Sequence, residues 1–204
     1  LTAEPYITID TEFIRDRTYW PVLCLIQVAG IDKAACIDPL AEGMDLGPLY
    51  KLMADTSVLK VFHAARQDVE IFLKEAGAIP TPLFDTQIAA MVCGYGDQIG
   101  YEALVNKIVR QSIDKSSRFT DWARRPLTQK QLDYAISDVT HLRVIYEELV
   151  DQLEKNGRRS WIDEELNVLT QPSTYIVEPQ EAWRRIKSRN PKPRFLAILR
   201  ELAA

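Results

Sequence analysis

The sequence predicts an α/β domain with a mixed sheet that helices cover on both faces, followed by a helical C-terminal extension. Three strand-like runs come first, at residues 6–13, 22–29 and 34–37, and a short turn at 30–32 joins the last two into a hairpin. After residue 58, apolar strand-like runs alternate with segments of helical periodicity. This order of elements is typical of a sheet with helices packed on both sides.

The first strand carries two acids on one face. At the two-residue period of a strand, Ile7 and Ile9 point to one side, and Thr8, Asp10 and Glu12 point to the other. The two carboxylates would lie about 7 Å apart and repel each other unless a cation lies between them. The alternative, for such a short pattern taken alone, is a pair of solvated acids at a strand end.

The next segments alternate between helix and strand. Residues 46–54 predict a short helix, and residues 58–62 form an apolar run, broken only by Lys60, that is typical of a strand covered on both faces. From Arg66 the apolar spacing becomes helical, and Gly77 ends this helix.

A long loop and a long helix follow. Asp85 is interpreted as the N-cap of a helix, with a metal ligand as the alternative, and residues 101–109 predict another helix. Residues 110–126 form a polar loop of a length that usually carries function. Residues 128–131 match a capping box, so a long helix begins there, and Gly157 follows its end.

Beyond Trp161 the pattern changes to helices separated by polar, proline-containing linkers. We therefore predict an α/β domain over residues 1–160. Residues 161–204 are predicted to form a helical linker and the start of a C-terminal helical domain whose remainder is absent from this chain.

Composition excludes several classes of protein. With 204 residues, 47% of them apolar and 26% charged, the chain can bury a core and is not wholly disordered. No run approaches the roughly 18 apolar residues of a membrane span, so we expect no membrane association. The three cysteines include no C-x-x-C pair and are expected to be free thiols in a reducing, cytoplasmic compartment.

The net charge of −4 does not exclude a nucleic-acid partner, because basic residues are clustered. Between residues 184 and 200 the chain carries Arg and Lys side chains with no acid among them. A second cluster consists of Arg118, Arg124 and Arg125, around Trp122.

Two later segments could complete the acidic pair of the first strand. Tyr134 and Asp138 are four residues apart on the long helix and share a face, where Asp138 has apolar neighbours. Asp68 lies where a buried strand turns into a helix, a region in which α/β sites form. An acid held near a core without a cation is costly. The alternative for Asp68 is an acid in the first turn of a helix, where it favours the helix dipole.

In this order, the acid-bearing segments resemble the three exonuclease motifs of the DEDD 3′-5′ exonucleases. The tyrosine four residues before the last acid resembles the tyrosine subclass of that superfamily. Over roughly residues 5–165 the chain resembles bacterial ribonuclease D, in the segments DTEFIR from residue 10, TYWP from 18, LIQ from 25, FHAARQD from 62, FDTQIAA from 84, DW at 121, RPL from 125 and YAISDV from 134. Ribonuclease D also carries C-terminal helical domains, and residues 181–186 and 195–202 resemble the beginning of the first.

The resemblance implies a ribonuclease-H-like sheet and two divalent cations, Mg²⁺ or Mn²⁺, held by Asp10, Glu12, Asp68 and Asp138. Four converging carboxylates cannot all stay ionised without about two such cations. By this resemblance Asp10 would bridge both ions, Glu12 and Asp138 would complete the site of the attacking water, and Asp68 would support the second ion. Tyr134 would orient that water, because a tyrosine with a pKa near 10 is a poor base at neutral pH.

Candidate RNA contacts are aromatic side chains that could stack on a base and basic side chains that could bind phosphates. These candidates are Phe13, Trp20, His63, Lys115, Arg118, Trp122, Arg124 and Arg125. The alternatives are a core position for the aromatic residues, a backbone contact for His63 and a solvated charge run for the basic residues.

The resemblance implies a metal-dependent 3′-5′ exoribonuclease that releases 5′-mononucleotides from RNA 3′ ends, with tRNA precursors as the substrate. We expect a monomer in the cytoplasm. One rival function is a proofreading-type 3′-5′ DNA exonuclease, which uses the same carboxylates. The other is a non-catalytic RNA-binding module on the same fold, which predicts that at least one acid is replaced, whereas all four acids and Tyr134 are present.

Overall fold

The computed structural model describes residues 1–176, 179–189 and 192–203. The strands are β1 (Tyr6–Ile14), β2 (Val22–Ala29), β3 (Ala34–Ile37), β4 (Leu59–Phe62) and β5 (Leu83–Asp85). The α-helices are α1 (Gly47–Ala54), α2 (Arg66–Ala76), α3 (Thr86–Val92), α4 (Tyr101–Ile108), α5 (Gln129–Lys155), α6 (Asp163–Leu169) and α7 (Pro193–Ala203). Short 3-10 helices lie at Lys115–Ser117, Arg159–Ile162, Pro172–Thr174 and Pro179–Arg185.

The five strands form one mixed sheet in the order β3-β2-β1-β4-β5. β1 is the central strand, antiparallel to β2 and parallel to β4, while β3 and β5 lie at the edges. The predicted hairpin between β2 and β3 and the buried strand β4 are both confirmed. The acid-bearing strand is therefore supported by hydrogen bonds on both sides.

Helices cover both faces of this sheet, as predicted. On one face, Phe62 of β4 packs edge-on against Phe72 of α2, with ring centroids 6.2 Å apart. On the other face, Val61 joins a buried cluster with Ala90 of α3, Leu104 of α4 and Leu142 of α5. Adjacent residues of a strand point to opposite faces. The contacts of Val61 and Phe62 therefore place α2 on one side of the sheet and α3, α4 and α5 on the other.

Helix α5 is fixed to the central strand by a buried hydrogen bond. Thr8 Oγ1 of β1 donates to the backbone oxygen of Val139 at 2.7 Å. The helix begins at the predicted capping box, in which Thr128 and Gln131 satisfy each other's backbone N–H groups. Thr8 shares its face with Asp10 and Glu12, so the face that carries the acids is the one against α5.

The turn between β4 and α2 is held by Asp85. Its carboxylate accepts hydrogen bonds from the backbone N–H groups of Ala64 at 3.0 Å, Ala65 at 2.8 Å and Gln87 at 2.7 Å. The last of these confirms the predicted N-cap of α3. The first two hold a turn in which Ala64 has a φ of +56°, a left-handed conformation that is uncommon for alanine. Asp85 thus sets the start of α2, the helix that carries Asp68.

Asp85→Ala is expected to lower the free energy of unfolding by about 2 to 4 kcal/mol, because it removes a cap and leaves two further N–H groups without their acceptor. Urea unfolding followed by circular dichroism measures this loss. The control is Asp55→Ala, which removes a half-buried carboxylate that accepts hydrogen bonds from the backbone N–H and the hydroxyl of Ser57 among the described residues. An equal, small loss in both variants would contradict the structural role of Asp85.

The chain divides into two compact units, Leu1–Thr170 and Gln171–Ala204. The predicted boundary lies ten residues earlier than this division. The difference arises because Leu166 of α6 packs against the buried core of the first unit, so α6 stays with the sheet. In the second unit, α7 contacts the 3-10 helix Pro179–Arg185. Within the described residues, no helix combines the length and the apolar character that crossing a membrane requires.

Candidate active site

The fold brings three of the four predicted acids together. Asp10 and Glu12 of β1 and Asp138 of α5 each offer one carboxylate oxygen, and these oxygens all lie within 4.8 Å of one another. Asp138 comes from a distant part of the sequence and reaches the site because α5 crosses the acid-bearing face of β1. We refer to these three residues as the acid cluster.

Burial raises the pKa of every member of the acid cluster. Desolvation is the main cause, and it raises the pKa of Asp10 to about 6, of Asp138 to about 8 and of Glu12 to about 9. Repulsion from Asp10 adds to the rise for Glu12 and Asp138, while the positive charge of Arg118 lowers the pKa of both. Without a cation, Glu12 and Asp138 are therefore protonated at neutral pH.

The acid cluster has the properties of a divalent cation site. Its donors are all carboxylate oxygens, which hard cations such as Mg²⁺ prefer. In addition, the Oδ1 atom of Asp138 is buried without a hydrogen-bond partner among the described residues. A buried, unpartnered carboxylate oxygen is costly unless it is protonated or binds a cation. The residues present therefore fit a divalent metal ion.

Asp68, the fourth predicted acid, lies beside the acid cluster but outside the 4.8 Å group. It is buried on α2, and the hydroxyl of Thr11 donates to its Oδ1 at 2.5 Å. Thr11 points to the face of β1 opposite Asp10, which explains why Asp68 lies outside the acid cluster. Burial, followed by repulsion from Asp10, raises the pKa of Asp68 well above its usual range. The carboxylates of Asp68 and Asp10 therefore repel each other, although Asp68 is not part of the acid cluster.

Tyr134 lies at the predicted place, one helical turn before Asp138. It lines a cavity of about 290 Å³ together with Asp10 and Asp138. Burial, followed by repulsion from Asp138 and Glu12, raises the pKa of the Tyr134 phenol above its ordinary value. The phenol therefore stays protonated at neutral pH, and its side chain is hydrogen-bonded to that of Asp138.

The rest of the cavity wall comes from His63 just after β4, from the start of α4, from the long loop and from Leu142 of α5. His63 contributes its ring, while its Nδ1 contacts Thr86 Oγ1 at 3.0 Å and its Nε2 contacts the backbone oxygen of Ile99 at 3.1 Å. Both ring nitrogens thus bind within the protein, so His63 can offer only its ring face to a ligand. That ring lies 5.3 Å from the ring of Tyr101.

Tyr101 is a site residue that the sequence interpretation missed. It lines the cavity, and its hydroxyl donates to the backbone oxygen of Asp138. Tyr101 therefore ties α4 to the turn of α5 that carries the acid. In the sequence, Tyr101 stands at the start of a predicted helix. An aromatic residue at such a position is equally compatible with a place in the core, so the sequence does not mark Tyr101 as a site residue.

Several candidate RNA contacts are accessible. Arg118 is exposed and lines the cavity, and its guanidinium lies 5.2 Å from the ring centroid of Phe119. Its neighbour Phe119 is 87% exposed. Trp20 is 37% exposed, Phe13 is half-buried and Arg124 is exposed. The predicted contact of the Lys115 side chain lies outside the described part of the structure.

The structure corrects the prediction for two other candidates. Trp122 is 2% exposed and packs in a buried cluster with Cys24, Leu25 and Ala135, so its ring is not available to stack on a base. Arg125 binds Asp38 through two nitrogens at 2.6 and 2.7 Å and also donates to the backbone oxygens of Trp122 and Cys24. Its guanidinium is engaged in holding the loop to the sheet.

Comparisons with known proteins agree with this geometry. Residues 1–154 match the model of the 3′-5′ exonuclease family. Ribonuclease D of Granulibacter bethesdensis is 55% identical over 204 residues, which cover 100% of this chain and 52% of that protein. Ribonuclease D of Jannaschia sp. is 57% identical over 206 residues, which cover 99% of this chain and 53% of that protein. The chain spans about half the length of these curated relatives, and the predicted resemblance is confirmed.

Solved structures show the same fold. Escherichia coli RNase D, described as an exoribonuclease involved in structured RNA processing, is 38% identical with a TM-score of 0.88, over 99% of this chain and 54% of that chain. This match confirms the expected ribonuclease-H-like fold. Brucella melitensis NrnC with bound Mg²⁺ is 28% identical with a TM-score of 0.76, over 94% of this chain and 92% of that chain.

Proposed function

Because the chain belongs to the 3′-5′ exonuclease family, we propose that it hydrolyses RNA from the 3′ end and releases 5′-mononucleotides. The observation that carries this proposal is the acid cluster of Asp10, Glu12 and Asp138 at the wall of a cavity. RNA is favoured over DNA because the curated relatives are ribonuclease D proteins. Precursors of tRNA are the proposed substrate, and the proposed setting is a monomer in the cytoplasm.

The proposed cofactors are two divalent cations, Mg²⁺ or Mn²⁺, held by Asp10, Glu12 and Asp138 with Asp68 supporting the second ion. When bound, such ions lower the pKa of a water molecule and neutralise charge on a phosphodiester. The carboxylate-only donor set and the unpartnered Oδ1 of Asp138 support this assignment. The bound Mg²⁺ of the Brucella melitensis protein supports the choice of metal.

The remaining catalytic roles belong to side chains that line the cavity. The protonated Tyr134 phenol is proposed to orient the attacking water by a hydrogen bond, since its raised pKa makes proton abstraction unfavourable. The exposed Arg118 guanidinium is proposed to bind a backbone phosphate.

The second unit is proposed to belong to a helical C-terminal domain. In this unit α7 exposes apolar side chains, with Phe195 at 38%, Ile198 at 51% and Leu202 at 80% exposure. An apolar stripe at helical spacing is what a helix of a larger helical unit would present to its neighbours. The basic side chains of this segment are proposed to add phosphate contacts to structured RNA.

A direct assay tests the proposed activity. The protein is incubated with 3′-labelled RNA and with DNA of the same sequence, in Mg²⁺ or Mn²⁺. We expect stepwise release of mononucleotides from RNA, with at least a tenfold slower reaction on DNA and no reaction in EDTA. Hydrolysis that persists in EDTA would exclude metal catalysis. Equal rates on both polymers would favour the proofreading-type DNA exonuclease, and binding without hydrolysis would favour a non-catalytic module.

A further inference from the structure

Gln27 of β2 is a buried amide without a hydrogen-bond partner. Its side chain is 0% exposed, and neither Oε1 nor Nε2 reaches a partner among the described residues. Buried side-chain polar atoms are normally paired, and an unpaired amide destabilises the folded protein. An apolar side chain of similar size would avoid this cost. The amide at this position therefore calls for a role other than packing.

The strand register places Gln27 directly opposite Asp10. β1 and β2 are antiparallel, and Asp10 pairs with Gln27 in their ladder. Residues paired in this way point to the same face, with Cβ atoms about 4.5 to 5.5 Å apart. Gln27 therefore projects from the face that carries the acid cluster, at the position next to the acid assigned to both cations.

Other polar groups near Gln27 are poorly suited to satisfy its amide. On β3 its paired residue is Cys36, whose thiol is a weak hydrogen-bonding group. On α5, the backbone oxygen of Val139 already accepts from Thr8. Asp10 accepts a hydrogen bond from the Thr11 backbone N–H, but a carboxylate has lone pairs for several donors. The strong acceptor that the strand register places opposite the Gln27 amide is the Asp10 carboxylate.

We propose that Gln27 is a positioning residue for the metal site. In this structure Nε2 does not hydrogen-bond to Asp10. When a divalent cation is bound, the amide N–H would donate to the facing Asp10 carboxylate and fix the orientation in which Asp10 shares that cation with Glu12 and Asp138. The inference rests on the proposed function, since it requires a divalent cation at the acid cluster. Hydrogen-bond partners of metal ligands orient those ligands, and removing such a partner weakens metal binding about 10- to 100-fold.

The test compares Mn²⁺ binding by wild type, Gln27→Met and Gln27→Leu, measured by isothermal titration calorimetry on the 204-residue chain. Both variants replace the amide with an apolar side chain, and circular dichroism checks their folding. We expect the dissociation constant for Mn²⁺ to rise about 10- to 100-fold, while the melting temperature without metal stays unchanged or increases. The RNA hydrolysis rate should approach that of wild type as Mn²⁺ is raised.

Tyr6→Phe is the matched control. It removes a hydroxyl that donates to Glu147 from the same strand and the same face as Asp10. We expect this variant to keep the wild-type affinity for Mn²⁺. Wild-type affinity in both Gln27 variants, with or without a loss of stability, would restrict Gln27 to core packing and overturn the proposal. A wild-type protein that binds no Mn²⁺ would overturn the proposed function and this inference together.

Discussion

Asp10→Asn is expected to lower the rate of RNA hydrolysis by about a thousandfold or more, because it removes a carboxylate that the proposed cations share. The amide is neutral and a weaker ligand, so charge on the phosphodiester is less well neutralised. Single-turnover hydrolysis of 3′-labelled RNA at saturating Mn²⁺ measures the loss. Asp133→Asn is the control, since Asp133 is exposed on α5 and accepts from Gln129 at 2.8 Å.

The two variants make the same chemical change in different surroundings. We expect the Asp133 variant to keep the wild-type rate and the Asp10 variant to remain folded. An Asp10→Asn protein that retains more than about a tenth of the wild-type rate would show that the acid cluster is not the catalytic centre. A loss of the same size in both variants would point to a general effect of altered charge.

In the metal-free protein, the free energy of unfolding is expected to fall as pH rises from about 4, the pKa of an Asp or Glu in the unfolded chain, to about 9. The pKa values of Asp10, Asp138 and Glu12 are raised to about 6, 8 and 9, so the folded protein holds more protons than the unfolded chain in this range. The stability linked to these groups is therefore complete in acid and lost through their folded pKa values. Thermal unfolding in EDTA measures the loss, up to about 1.4 kcal/mol per pH unit for each proton.

Metal binding should reverse this dependence, because a cation requires the ionised carboxylates. Near pH 7 we expect release of at least about two protons on Mn²⁺ binding, because the pKa values of Glu12 and Asp138 lie above that pH. Calorimetry in buffers of different ionisation enthalpy counts these protons. Glu12→Gln should reduce the count by about one, whereas Asp133→Asn should leave it unchanged. No proton release by wild type would contradict the raised pKa values.

The local elements and the candidate acids could be predicted from the sequence because their signals are short-range. Two-residue alternation put Asp10 and Glu12 on one face of β1, and the capping box at Thr128 marked the start of α5. Tyr134 and Asp138 had to share a helical face at their spacing of four. Each of these inferences depends only on residues that are close together in one strand or one helix.

The long loop was less predictable because its side chains are held by distant partners. Trp122 and Arg125 resembled surface residues, yet Trp122 packs against β2 and Arg125 binds Asp38. Lys60 is a comparable case inside a strand, where its ammonium group donates to the backbone oxygens of Asp55, Val58 and Thr81. No local pattern reports such partners.

For the site, the residue types and spacings were enough to identify a carboxylate set and its tyrosine. Only the packing of α5 across β1 selected Asp10, Glu12 and Asp138 as the acids that meet, and only the opposite face of β1 explains why Asp68 binds Thr11 instead. The division has a physical reason: periodicity is a property of neighbouring residues, whereas convergence in space depends on which faces of separate elements the core brings together.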